Sequence, residues 1–135
     1  MCGLTGYYCK SHPIENSKPV LEMLKIQKHR GPDDSGVLGI NMKEAHLEEL
    51  PVDQSKDFTS NPDLVFGFNR LSILDLSPAG HQPMVDHESK VALMMNGEVY
   101  NAFDFKPELE KSGFNFKGQS DTEVVLALYL QYGLE

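Results

Sequence analysis

Tryptophan is absent from this chain, and cysteine occurs only twice, at Cys2 and Cys9. Two cysteines this close to the start cannot form a disulfide framework, so a small stapled scaffold is excluded and a reducing cytoplasm is the default compartment. Long apolar runs are missing too. None approaches the roughly 20 residues that cross a bilayer, and the start lacks the basic-then-apolar pattern of a secretory signal, so no membrane partner is expected. Positive charge is scarce: 12 Lys and Arg stand against 20 Asp and Glu, for a net charge of -8. With no basic stripe, a nucleic-acid partner is not expected either. The five histidines are scattered, with no HxH, HxxxH or CxxC pair, and predict no metal site.

The rest of the composition is that of an ordinary globular chain. A length of 135 residues with 40% hydrophobic side chains fits one domain with a real core. Gly3 to Cys9 reads as a buried strand, which ties down a chain end that would normally fray. Lys18 to His29 has helical spacing, with Ser17 as cap and Pro19 in the first turn. Arg30 to Gly36 is a turn-rich loop, Val37 to Met42 a strand, and 44 to 63 a polar surface strand or loop. Leu64 to Asn69 reads as a strand, with Arg70 to Asp75 as a candidate continuation. Ser77 to Pro83 is a loop. Val91 to Met95 and Glu98 to Tyr100 flank Asn96-Gly97, a hairpin-turn signal. Phe105 to Lys111 predicts a short helix and Phe114 to Lys117 a strand. Ser120 and Glu123 form a capping box for a last helix that stops at Gly133, with Val125, Leu128, Tyr129 and Tyr132 on one face. Cys9 reads as a small buried hydrophobe. The class is mixed α+β.

Four features carry chemistry. Cys2 becomes the N-terminus once Met1 is removed, and its α-amine, with a reference pKa of about 8, can serve as base to its own thiol. Asn96 and Gly97 offer a side-chain amide beside a backbone N–H, the parts of an oxyanion hole. Arg70, leaving an apolar strand, can hold a carboxylate through two parallel hydrogen bonds. Asp121, at a helix start already capped by Ser120, can hold an ammonium group. Each alone has a structural explanation: a chance Met-Cys start, a turn, a surface ion pair, a helix cap. Together they describe an amino acid held at both ends with its side-chain carbonyl facing a thiol.

The segments MCGLTGYY at the start, HRGPDDSG at 29–36, RLSILDLSPAGHQPM at 70–84, NGEVYN at 96–101 and SDTEVVL at 120–126 resemble those of class II glutamine amidotransferase domains, of the N-terminal-nucleophile hydrolase fold. HRGPD, GHQPM and NGEVYN are most similar to glutamine-dependent asparagine synthetases, although amidotransferases of sugar and secondary-metabolite pathways share these loops. The resemblance implies an αββα sandwich of mostly antiparallel sheets. It implies Cys2 as nucleophile, Asn96 and Gly97 as oxyanion hole, and L-glutamine held by Arg70, Glu98 and Asp121 with backbone near Ile73 and Leu74. The HRGPD loop would shape the site. Glutamate and ammonia would form through a thioester.

The resemblance further implies that residues 1–135 are the N-terminal part, about two-thirds, of such a domain. A synthetase domain or subunit, absent from this sequence, would accept the ammonia. ATP and magnesium would belong to that domain, and the glutaminase step needs no cofactor. An incomplete sheet is compatible with a homo-oligomer. Two other readings compete. One is a glutamine-binding or interaction module without turnover. The other is a different N-terminal-cysteine amide hydrolase, disfavoured because Arg70 and Asp121 suit a substrate with both an α-carboxylate and an α-ammonium.

Overall fold

The computed structural model describes residues 1–134 and combines helices with antiparallel sheet. Four strands pair in the order β1-β4-β2-β3: β1 is Gly3–Tyr8, β2 Asp34–Asn41, β3 His46–Leu50 and β4 Leu64–Arg70. All pairings are antiparallel, with Gly3 opposite Asn69 and Asp34 opposite Arg70. A short hairpin joins β5 (Met84–Asp86) to β6 (Val91–Leu93). The helices are α1 (Lys18–Ile26), α2 (Lys106–Lys111) and α3 (Asp121–Tyr132). No helix among the described residues is long and apolar enough to cross a membrane.

Alternation along β1 and β4 gives the sheet two faces. One face packs on α1, whose Val20, Leu21 and Leu24 are buried against Val37, Val65, Ile14 and Phe58. The helix lies so close that a Cβ on Gly67 would stand 2.6 Å from Val20 Cγ2 and 2.8 Å from Thr5 Cγ2. Asn69, fully buried, ties helix and sheet together. Its Nδ2 donates to the carbonyl of Leu24 at 2.7 Å, and its Oδ1 accepts from Ser35 Oγ at 2.7 Å. A second core gathers Ala102, Leu109, Val124 and Ala127 with Phe114 and Phe116, whose ring centroids are 4.8 Å apart.

Several expectations are corrected. Asn96-Gly97 is not a hairpin turn. A two-residue turn needs positive φ, yet the positive-φ residues are Ala45, Asn61, Lys90, Gly113 and Gly133. Glu98 to Tyr100 forms no strand, and β6 pairs instead with β5, a segment to which the sequence assigns no element. Phe114 to Lys117 is not a strand either, because its rings are drawn into the second core. The first helix ends at Ile26 and a separate 3-10 turn covers Lys28–Arg30. Ser120 does cap α3, accepting from Thr122 N at 3.1 Å. Glu123 does not close the box on it. Its carboxylate accepts instead from the N–H groups of Lys117 and Gly118 at 2.7 and 2.9 Å. Helix α3 is apolar on most sides, so periodicity could not choose a face, and the residues it buries include Val124, Leu126 and Ala127. Cys9 is half-buried, with Sγ 3.6 Å from Ser11 Oγ.

The close seat of α1 generates a test. Gly67→Val should destabilise the fold by about 2 kcal/mol or more through overpacking, read as a lower denaturant midpoint; an unchanged midpoint would contradict this packing.

Candidate functional site

Pairing of β1 with β4 carries Cys2 to the end of β4. Its thiol accepts a hydrogen bond from the N–H of Leu71 at 3.3 Å and lies 3.9 Å from the Leu71 carbonyl. Its backbone N donates to Asn96 Oδ1 at 2.9 Å, and its carbonyl accepts from Arg30 Nε at 3.0 Å. Three separate segments therefore fix one residue two positions from the chain start. The last of these contacts comes from the 29–33 loop, and Arg30 is a holder of Cys2 that the sequence reading missed. Its only signal was membership of that loop. Gly31 lies under the end of β4, where a Cβ would be 2.3 Å from the Asn69 carbonyl oxygen. Asp33 accepts from Ser72 N at 2.8 Å.

Arg70 is buried, and its two terminal nitrogens donate to the carbonyls of Ser77, at 3.1 Å, and Asp75. The loop after β4 thus wraps the guanidinium. A Cβ on Gly80 would collide with it. Asp75 is itself buried and pins the loop. Its carboxylate accepts from Ser77 N and Gln119 N, each at 2.7 Å, and these bonds hold it below the usual carboxylate range. Asp121 is buried at the start of α3. One of its oxygens accepts from Val99 N at 2.9 Å, the other from Thr122 N at 2.8 Å. Glu98 is exposed at the rim, as are Ile73 and Leu74.

A single cavity of about 350 Å³ brings these groups together, within the size range of small-molecule sites. Cys2, Asn96, Gly97, Arg70, Ile73, Leu74, Glu98 and Asp121 all line it, as do Met1, Gln82 and Thr122. All eight residues singled out from the sequence share this wall. One guanidinium and three carboxylates, those of Asp75, Glu98 and Asp121, line the cavity with the thiol, and such paired charges in a partly desolvated setting suit a zwitterionic ligand. With Met1 attached, the nitrogen of Cys2 is a peptide amide and has no basic lone pair.

Behind Arg70, His81 Nδ1 and Asp34 Oδ2 pair at 2.7 Å. The hydrogen bond to Asp34 raises the His81 pKa above its ordinary value, against an opposing effect of burial. Burial pushes the Asp34 carboxyl up, but the bond and charge of His81, the Ser35 N–H and the charge of Arg70 together hold it low. The pair clamps the 71–83 loop to β2.

The glutamine amidotransferase domain family matches residues 39–135. Among curated proteins, the chain is 35% identical to asparagine synthetase (glutamine-hydrolyzing) 1 of Bacillus subtilis over 98% of its own length, and 34% identical to amidase chry2 of Gibberella zeae over 99%. It is 31% identical over its full length to asparagine synthetase B (glutamine-hydrolyzing) of Escherichia coli. The chain belongs to the glutamine amidotransferase domain family. It spans 18%, 18% and 20% of the length of those three relatives.

The His81–Asp34 pair sets a pH window. Its His81 part is complete below the ordinary histidine value and is lost as pH rises through the raised folded value. Its Asp34 part is present above the ordinary aspartate value and is lost as pH falls through the lowered one. The native chain should therefore show a decline of the unfolding midpoint on the alkaline side, and His81→Ala should flatten it. Identical pH profiles for the two proteins would contradict the clamp.

Proposed function

We propose that this chain is the glutaminase part of an asparagine-synthetase-like amidotransferase, hydrolysing L-glutamine to glutamate and ammonia with Cys2 as nucleophile. The observation that carries this reading is the hydrogen bond from Cys2 N to Asn96 Oδ1 at 2.9 Å. The oxygen of the Asn96 amide is engaged by the nitrogen of Cys2, so its Nδ2 is left as a donor. One side chain thus orients the base and supplies half of an oxyanion hole.

The chemistry follows from that arrangement. Once Met1 is removed, the α-amine of Cys2 takes the thiol proton, and Sγ attacks the side-chain carbonyl carbon of glutamine. The oxyanion accepts hydrogen bonds from Asn96 Nδ2 and the Gly97 N–H. Collapse breaks the C–N bond, and the proton held by the amine leaves with ammonia. A thioester remains. Water then attacks it, giving its proton to the amine, and glutamate departs as the thiol is restored. Arg70 holds the α-carboxylate, and Asp121 with Glu98 holds the α-ammonium, beside the backbone at Ile73 and Leu74. Ammonia passes to a synthetase domain or subunit, and ATP and magnesium serve that partner alone.

The same reading takes the fold as part of an N-terminal-nucleophile αββα sandwich. Support comes from the layers at hand. Helix α1 covers one face of the four-stranded sheet, and on the other Leu4, Gly6 and Phe66 line a cleft with Met94, just beyond β6. Strand β6 in turn lines a groove with α3.

Three proteins test the proposal: the chain with Met1 removed, the chain with Met1 retained, and Cys2→Ala. Only the first should release ammonia from glutamine. Arg70→Ala should raise KM by about tenfold or more, as loss of a charge-assisted hydrogen-bonding partner implies. Equal ammonia release from the Cys2→Ala chain would overturn the assignment, whereas saturable glutamine binding without release would favour a binding module.

A further inference from the structure

Two walls of the cavity are covalently remote. One is the stretch Met95–Gly97, the other the first turn of α3 with Asp121 and Thr122. A single buried side chain spans them. Gln82 is 5% exposed. Its Oε1 accepts from the N–H of Met95 at 2.7 Å, and its Nε2 donates to Thr122 Oγ1 at 3.2 Å. Met95 is the residue before Asn96, and Thr122 the residue after Asp121. Gln82 lines the same cavity, and its own backbone is fixed against β2, where a Cβ on Gly36 would lie 2.2 Å from the Gln82 carbonyl oxygen.

We propose that Gln82 is a positioning residue that sets the separation between the Asn96 wall, which faces the reacting carbonyl, and the Asp121 wall, which grips the α-ammonium. The inference rests on the glutaminase reading above. An amide is the group that suits this place. It accepts from a peptide N–H at one end and donates at the other, and it carries no charge to disturb Asp121. Residues 94–101 form no strand, and the other side-chain tie from this segment to α3, Val99 N to Asp121 Oδ2 at 2.9 Å, falls two residues beyond Gly97, so Gln82 is the brace next to Asn96. The Asn96 and Gly97 backbone has no ladder to fix it, and both residues are exposed. The walls must hold the two ends of one substrate, so a shift of about 1 Å at either is felt in the reaction.

The test uses the chain with Met1 removed, three single variants and one double variant. Gln82→Met keeps the volume and removes both bonds. Thr122→Val removes only the helix bond, and Thr122→Ser keeps the hydroxyl. Four quantities are read: kcat and KM for glutamine, the rate at which iodoacetamide alkylates Cys2, and the thermal midpoint. Alkylation needs neither the oxyanion hole nor the ammonium grip. Gln82→Met should lower kcat/KM by about tenfold or more, as one buried donor left unpaired implies, with KM raised and the alkylation rate little changed. Thr122→Val should shift KM the same way, Thr122→Ser should stay close to the native value, and the Gln82→Met/Thr122→Val double variant should be no worse than Gln82→Met alone.

Native-like kcat and KM in a folded Gln82→Met chain would overturn the role. So would loss of alkylation in parallel with loss of activity, which would mean that Gln82 merely holds the fold. If Gln82→Met fails to fold, a native KM in Thr122→Val overturns it instead. A native processed chain that releases no ammonia overturns the glutaminase reading and this inference together. Failure confined to the variants overturns the inference alone.

Discussion

The register of β1 against β4 is the constraint on which the site depends. Gly3 lies opposite Asn69, so the residue before Gly3 falls beside the residues after Asn69. That single offset delivers the thiol of Cys2 to the Leu71 N–H and places it in the cavity that Arg70 also lines. Side chains alternate along a strand, so a slip of one residue would turn every side chain of β1 to the other face. Thr5 and Tyr7 would leave α1, and the slip would also displace the thiol. The packing of Thr5 beside Gly67 and of Tyr7 against the first core therefore fixes both a stable sheet and the position of the Cys2 thiol.

The loops around the cavity are held by side-chain hydrogen bonds as well as by their own backbone. Arg70 is gripped by two carbonyls of the loop that follows it, Asp75 braces that loop to the segment before α3, and Asp34 with His81 clamps it to β2. Buried polar groups are costly unless paired. Here Arg70, Asp75, Gln82 and Asp121 are all buried, and all have partners. Loops that carry function are positioned by a rigid scaffold. In this chain the rigidity is supplied largely by the loops' own polar network.

Much of this was legible in the sequence. The strands β1, β2 and β4 and the helices α1 and α3 were visible because their residues are long, patterned runs with caps or breakers at the ends. The eight candidate residues come from motifs that lie far apart in the sequence, and they line one cavity; the role of each rests on chemistry and resemblance. What failed was local. Asn96-Gly97 carries the chemistry of a turn, but its asparagine oxygen is used by Cys2, a partner 94 positions away that no window could contain. Strand β5 is three residues long with an acid among them, too short to show alternation. Phe114 and Phe116 look like strand residues but are claimed by a core. Gln82 and Arg30 looked like loop polarity, and only the folded chain shows what they touch.

Everything proposed for this chain turns on Cys2, freed of Met1, acting as a nucleophile toward glutamine bound in the cavity it lines. The most direct measurement is the intact mass of the purified chain before and after a glutamine-mimicking diazoketone, with Cys2→Ala treated alongside. The expected result is a mass lacking Met1, a single adduct mapped to Cys2, protection by excess glutamine, and no adduct on the variant. A chain that has lost Met1 and still takes no adduct, or takes it equally at Cys9, would contradict it.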